Sequence, residues 1–169
     1  MKNRTIAILL IIMLNVNIAY AEISKVLFSP KGGIRNDIIT QIKSAKKEIL
    51  VQAYVFTDKK IANELITKKN EGLNIIVILD KSNLKYKYSA LKLLTDNNII
   101  TYIDDQHPIA HNKIIIIDNN KVLTGSYNFT TSADTKNAEN YLVIENDDIT
   151  INKFINNFNL HKVHSICQK

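Results

Sequence analysis

His111, Lys113 and Asp118 stand in the order H-x-K-x4-D within the run AHNKIIIIDNNKVLTGSYNFT, and Gly125, Ser126, Asn128, Glu139 and Asn140 follow closely. An imidazole can attack an electrophile or carry a proton near neutral pH. An ammonium, a hydroxyl and a carboxamide beside it can neutralise and orient anionic oxygens, most strongly where charge grows in a transition state. This set suits a phosphodiester, an anion that repels nucleophiles until its charge is offset. Such chemistry asks for one neutral and one protonated imidazole, with their pKa values pushed apart. The motif supplies a single histidine.

Hydrophobic periodicity predicts the elements that must position these groups. Lys25 to Ser29 is β-type and is stopped by Pro30 and Gly32-Gly33; Ile34, Ile38, Ile42 and Ala45 then repeat at helical spacing to about Lys47. Glu48 to Phe56 reads as a buried strand. A helix capped by Thr57 or Asp58 runs to Gly72, and the strand Asn74 to Leu79 ends at Asp80. Lys81 to Tyr88 is polar and reads as a solvated loop, followed by a short helix through Leu91 and Leu94 and a strand from Ile99 to Ile103. Ile114 to Ile117 and Val122 to Thr124 flank Asn119-Asn120 as a hairpin; Tyr141 to Glu145 is a further strand, and a last helix carries Ile151, Phe154, Ile155 and Phe158 on one face. Alternation followed by a hairpin implies a single α/β domain with a mixed, mostly parallel sheet flanked by helices. The motif is expected at the edge of that sheet. His111 and Lys113 differ by two, so a strand points both to one face.

Singly, these residues have plain explanations: a surface histidine, a strand lysine that guards against aggregation, an aspartate that opens a turn. Together they resemble the phospholipase D superfamily, whose signature H-x-K-x4-D followed by G-S-x-N is matched without departure by His111, Lys113, Asp118, Gly125, Ser126 and Asn128. SPKGG, QAYVFT and ILDKSN also look like the small, secreted, single-motif branch that holds bacterial endonucleases and rickettsial-type phospholipase D proteins.

The resemblance implies a catalytic set of His111, Lys113, Asp118, Asn128 and Glu139, with Lys113, Ser126 and Asn128 holding the phosphate. His111 would form a phosphohistidine. Glu139 would accept a hydrogen bond from its far ring nitrogen, and Asp118 would be more structural than catalytic. The chemistry needs no cofactor and no metal, and no Cys/His cluster with zinc spacing is present. The second histidine has no obvious source in the chain. His107 lies beyond Pro108, and His161 and His164 read as a solvated helix end. Larger relatives look like two copies of this unit, so the expected partner is a second copy of this chain, in a homodimer whose two His111 residues face each other.

Lys2 and Arg4, the apolar run Ile6 to Leu14 and Ala19-Tyr20-Ala21 read as a secretory signal peptide over residues 1–21, with an uncleaved anchor as the alternative; residues 22–169 form the domain. A secreted or periplasmic location follows. Cys167, the only cysteine, excludes an intrachain disulfide and reads as an incidental residue in a frayed tail. The formal charge of +6 fits an anionic partner but does not separate nucleic acid from a membrane surface. The alternating Lys85, Tyr86, Lys87 and Tyr88 serve either. A non-catalytic binding module on the same fold would have lost the lysine or the asparagine, and both are present.

Overall fold

The computed structural model describes residues 22–168; the segment read as a signal peptide lies outside them. The chain runs β1 (Glu22–Ser29), α1 (Ile34–Ser44), β2 (Glu48–Ala53), α2 (Lys59–Asn70), β3 (Asn74–Asp80), α3 (Leu91–Asp96), β4 (Ile100–Asp104), β5 (Lys113–Ile117), β6 (Lys121–Gly125), α4 (Thr131–Thr135), β7 (Glu139–Glu145), α5 (Asp148–His164) and β8 (Ile166–Gln168). The strands form one sheet in the order β1-β7-β6-β5-β2-β3-β4-β8.

Two expectations are corrected here. Only the β2–β3 and β3–β4 pairs are parallel, while β1–β7, β2–β5, β4–β8, β5–β6 and β6–β7 are antiparallel. The sheet is therefore mixed but not mostly parallel. The β5–β6 hairpin inserts between β2 and β7, so the motif strand is internal rather than at the sheet edge.

The two faces have separate cores. On one, Ile34, Ile38, Ile42, Ile61, Leu65 and Leu94 of the helices cover Val51, Val77, Ile115 and Leu123 of the sheet. On the other, α5 alone lays Ile151, Phe154, Ile155 and Phe158 on Leu50, Ile78, Ile114 and Ile116. Burial on both sides explains why β2, β3 and β5 read as continuous apolar runs. Local chemistry sets the boundaries. Asp58 caps α2 by accepting the amides of Lys60 (2.9 Å) and Ile61 (3.4 Å), and Asp147 caps α5 by accepting the Thr150 amide at 2.9 Å. A Cβ at Gly32 would sit 1.6 Å from the Phe28 carbonyl oxygen, so the SPKGG turn admits only glycine there.

The C-terminal tail is not frayed. After α5 the chain reverses at Ser165, and β8 pairs antiparallel with β4, placing Cys167 opposite Tyr102 with its thiol exposed. The segment after β3 is also ordered, with a 3-10 turn over Lys81–Leu84 capped by the Asp80 carboxylate on the Ser82 amide. No helix among the described residues is long and apolar enough to cross a membrane.

Asp118 belongs to this framework. With Asn119 it takes a positive φ (50° and 58°) to turn the β5–β6 hairpin. Its carboxylate accepts the amides of Lys46 (2.8 Å), Lys47 (2.7 Å) and Glu48 (3.0 Å), pinning the start of β2 to the end of β5. Burial alone would raise its pKa. The amides of Glu48, Lys46 and Lys47 outweigh burial and hold it below the usual carboxylate value. Asp118→Ala is expected to lower unfolding stability by about 1–2 kcal/mol in urea titrations, since the bonds are partly exposed. Because the folded pKa is depressed, the wild-type advantage is full above about pH 4 and disappears as pH falls through the folded pKa.

Candidate active site

The strand directions gather the motif at one rim. β2, β3, β4 and β6 end there, while β5 and β7 begin there. His111 lies in the segment just before β5 and is exposed; Lys113 is the first residue of β5 and is buried. Ser126 follows the end of β6, Asn128 is in the loop beyond it, and Glu139 opens β7. The register that sets Ile114 opposite Thr124 and Gly125 opposite Tyr141 thus brings residues far apart in sequence onto neighbouring strand ends. Asp118 is five residues along β5 from Lys113, about 17 Å at strand rise, so it belongs to the opposite rim and not to the catalytic group.

Lys113 is held between opposing demands. Its Nζ donates to the His111 carbonyl oxygen at 2.7 Å and lies 5.1 Å from the centre of the Tyr54 ring. Burial pushes its pKa down to about 8, opposed by the charge of Glu139. A phosphate oxygen would provide the counter-charge this ammonium lacks. The His111 ring leans on Tyr54, with centroids 4.6 Å apart and planes at 50°. Tyr54 therefore touches both the imidazole and the lysine. The sequence marked it only as part of QAYVFT; its place one residue beyond β2, beside the start of β5, is visible only once the strands pair.

The bond expected between Glu139 and His111 is not formed among the described residues. Glu139 instead accepts from the Ser126 hydroxyl (2.6 Å) and the Asn137 amide (3.0 Å), because the imidazole is turned towards Tyr54. The Ser126 oxygen also accepts the Asn140 amide at 3.0 Å. Its proton is thus engaged by Glu139, which couples Ser126 to the charge on that carboxylate. Gly125 makes this turn possible: its φ is 148°, and a Cβ would fall 2.2 Å from the Asn140 carbonyl oxygen. Asn128 keeps its Oδ1 shielded from solvent without a hydrogen-bond partner. Such an orphan acceptor costs about 1–3 kcal/mol; the Nδ2 of the same amide is the group able to donate to a phosphate oxygen.

The other histidines are drawn elsewhere. His161 and His164 were expected at a solvated helix end, but both turn towards Asp104, as does His107. The stripe that buries Phe154 and Phe158 continues to His161 three residues on, which places it over the sheet. None of the three joins the rim group. A cavity of about 530 Å³ is lined by Arg35, Thr57, Asp58, Lys59, Lys60, Tyr88 and Thr131 and by none of the motif residues, while His111 itself is exposed.

Comparison with known proteins agrees with this geometry. A family described as "Cardiolipin synthase, PLD-like domain" matches residues 38–161. The phospholipase D of Rickettsia prowazekii is 44% identical over 138 residues, covering 78% of this chain and 67% of that protein. Mitochondrial cardiolipin hydrolase of Xenopus laevis is 26% identical over 116 residues, covering 69% of this chain and 54% of that one. The crystal structure of Nuc from Salmonella typhimurium, a phospholipase D family member, superposes with a TM-score of 0.81 at 32% identity, covering 86% of this chain and 97% of that chain. NucT from Helicobacter pylori shares the fold, with a TM-score of 0.77 at 23% identity, covering 84% of this chain and 96% of that chain. The fold and site define a phosphodiesterase, and the chain belongs to the phospholipase D superfamily as a single-domain member.

Two substitutions read the site directly. Lys113→Met should remove turnover and raise the thermal midpoint, by roughly 3 °C per kcal/mol regained, because it relieves a buried charge. Glu139→Gln should lower kcat on the order of 10-fold, well short of the loss from removing His111, because an amide oxygen still accepts from Ser126.

Proposed function

We propose that this protein is an exported phosphodiesterase that cleaves phospholipids through a covalent phosphohistidine, in a site completed by a second copy of the chain. One observation carries the reading. His111, Lys113, Ser126 and Asn128 share one open rim, and no other histidine of the described residues joins them. Two-fold pairing at that rim would supply the second imidazole with its own lysine and asparagine.

The steps follow from the groups present. The neutral imidazole of one His111 attacks phosphorus, and the bond to the leaving alcohol breaks as the partner's His111 donates a proton to the alcohol oxygen. That second imidazole then takes a proton from water. The water oxygen attacks phosphorus, the P–N bond breaks, and the first imidazole leaves neutral. The two Lys113 ammonium groups and the Asn128 amides offset the charge on the phosphoryl oxygens throughout. Export rests on the apolar N-terminal segment ending in Ala19-Tyr20-Ala21.

A lipid substrate is favoured by what surrounds the rim. Leu84 (56% exposed), Tyr88 (69%) and Ile109 (57%) project from the loops after β3 and β4, beside Lys85 and Lys87. Exposed aliphatic groups next to lysines suit an anionic membrane surface better than a stacked base. The resemblance to rickettsial phospholipase D supports the same choice. A nucleic-acid substrate is the second reading, favoured by the net positive charge.

Purified protein should release head groups from phosphatidylcholine vesicles that also contain an anionic phospholipid, and do so faster than it cuts DNA or RNA. His111→Ala should lower turnover by at least about 10³-fold with the fold unchanged. Strand cleavage without head-group release would transfer the reading to nucleic acid, and near wild-type turnover by the variant would end the phosphohistidine mechanism. Subunit mixing tests the shared site. Adding an equal amount of His111→Ala protein and allowing exchange should leave about half of the wild-type activity, whereas independent sites would keep all of it. Full activity from a sedimenting monomer would also exclude the shared site.

A further inference from the structure

Away from the rim histidine, four side chains that no part of the proposed mechanism uses converge on one point. Asp104 ends β4 with its side chain fully buried, and three imidazoles surround it. His161 Nδ1 lies 2.6 Å from Asp104 Oδ2, His107 Nδ1 lies 3.1 Å from each carboxylate oxygen, and His164 Nε2 lies 3.4 Å from Oδ2. The rings contact one another as well, with centroid separations of 4.8, 5.3 and 5.2 Å. One potential ligand atom from each of the four residues lies within 4.8 Å of the other three.

An ion-pair network alone accounts poorly for this arrangement. One carboxylate can accept three donors, as Asp118 does, but it carries only one negative charge for three imidazoles. Three protonated rings in mutual contact would repel, with a single negative charge to offset them. If they are neutral, His164 Nε2 is left shielded from solvent and without a hydrogen bond, as it is here. Burying a polar atom in that state is unfavourable unless something else satisfies it.

A metal ion satisfies all four. Zinc bound tetrahedrally by nitrogen and oxygen has bonds of about 2.0–2.1 Å, which sets neighbouring ligand atoms roughly 3.3 Å apart. The separations from the carboxylate, 2.6 to 3.4 Å, are close to that value, while the widest spacing among the four donor atoms, up to 4.8 Å, must close by about 1.5 Å on binding. Three imidazoles and one carboxylate suit zinc or a neighbouring divalent transition metal, whereas calcium and magnesium prefer oxygen ligands. The two short spacings, Asp104-x2-His107 and the helical His161-x2-His164, each bring a pair to one side, and the sheet brings the pairs together. His107 is 44% exposed, which leaves a path for the ion.

We propose that Asp104, His107, His161 and His164 form a structural zinc-type site that clamps α5 to the segment leading into His111. Four protein ligands close the coordination shell, so the site holds structure and does not activate water. Its effect on the rim is mechanical. The segment 105–110 is already tied at two points, by Lys81 Nζ on the His107 carbonyl oxygen (2.8 Å) and by Asp80 on the Ala110 amide (2.8 Å). A metal on His107 adds a third tie within four residues of His111.

The site can be tested without measuring turnover. Metal-stripped protein is titrated with zinc by calorimetry and with cobalt(II) by visible absorption, and thermal unfolding is followed with and without zinc. One equivalent should bind, cobalt should give the intense bands of tetrahedral coordination, and zinc should raise the thermal midpoint. His161→Gln and His107→Gln should each weaken binding by more than the ~10–100-fold typical of a lost second-shell partner. His111→Ala should bind zinc as the wild type does, which separates this site from the proposed phosphohistidine. His164→Gln, partly exposed, replaces His161→Gln if circular dichroism shows that variant unfolded. Absence of stoichiometric binding by the wild type, or affinity unchanged by the histidine variants, would overturn the assignment.

Discussion

The structure depends on β5 being buried on both faces. Isoleucines 114 to 117 have no solvent-facing side, so the strand cannot slip by one residue without exchanging what each core receives. Its neighbours β2 and β6 lock that register. A fixed β5 has two ends with different duties. Asp118 at one end collects the amides that start β2; Lys113 at the other carries its charge to the rim. The spacing H-x-K-x4-D is thus the length of a strand. It measures the distance between an anchor and a reactive end rather than a contact among three side chains.

That view explains what could be read from the sequence. Periodicity located β2, α2, β3, β5, β6 and α5 because their apolar patterns follow directly from which faces are covered. The termini and the parallel content were harder. β8 is only three residues long, and its pairing with β4 depends on α5 returning the chain to that edge. The β5–β6 hairpin looked like an addition to a parallel sheet, yet it fills the sheet's centre. At the site, the motif pointed to His111, Lys113, Ser126 and Asn128 through their spacing and its resemblance to a known family, since each residue alone has a plain explanation. Tyr54 escaped notice because an aromatic residue at a strand end has many possible duties. Asp104 and His161 escaped because 57 residues separate them and neither spacing alone signals a ligand set.

Charge is unevenly managed between the two histidine groups. At the rim, Lys113 is buried with insufficient counter-charge, Glu139 is shared with Ser126 and Asn137, and Asn128 has an unsatisfied oxygen. The buried ammonium and the unpaired oxygen are costs to the isolated fold. Around Asp104 the opposite holds. Burial alone would raise its pKa, but the contacts from His161, His107 and His164 hold the carboxyl far below its usual range. At the rim the buried ammonium lacks a counter-anion, whereas the Asp104 carboxylate is offset by its imidazole neighbours, with His164 Nε2 left over for a further ligand.

The three residues of β8 have a consequence for how the chain reaches this state. β4 is synthesised some sixty residues before the strand that covers its outer side. Until α5 docks and β8 pairs, the row of amides and carbonyls along β4 remains free to join any other extended chain. A polypeptide emerging N-terminus first would pass through a long interval in which β4, like β1 at the opposite margin, stands as an uncovered edge. The final strand is small in buried area; it moves that edge from the five residues of β4 to the three of β8, while β1 remains the edge at the other margin.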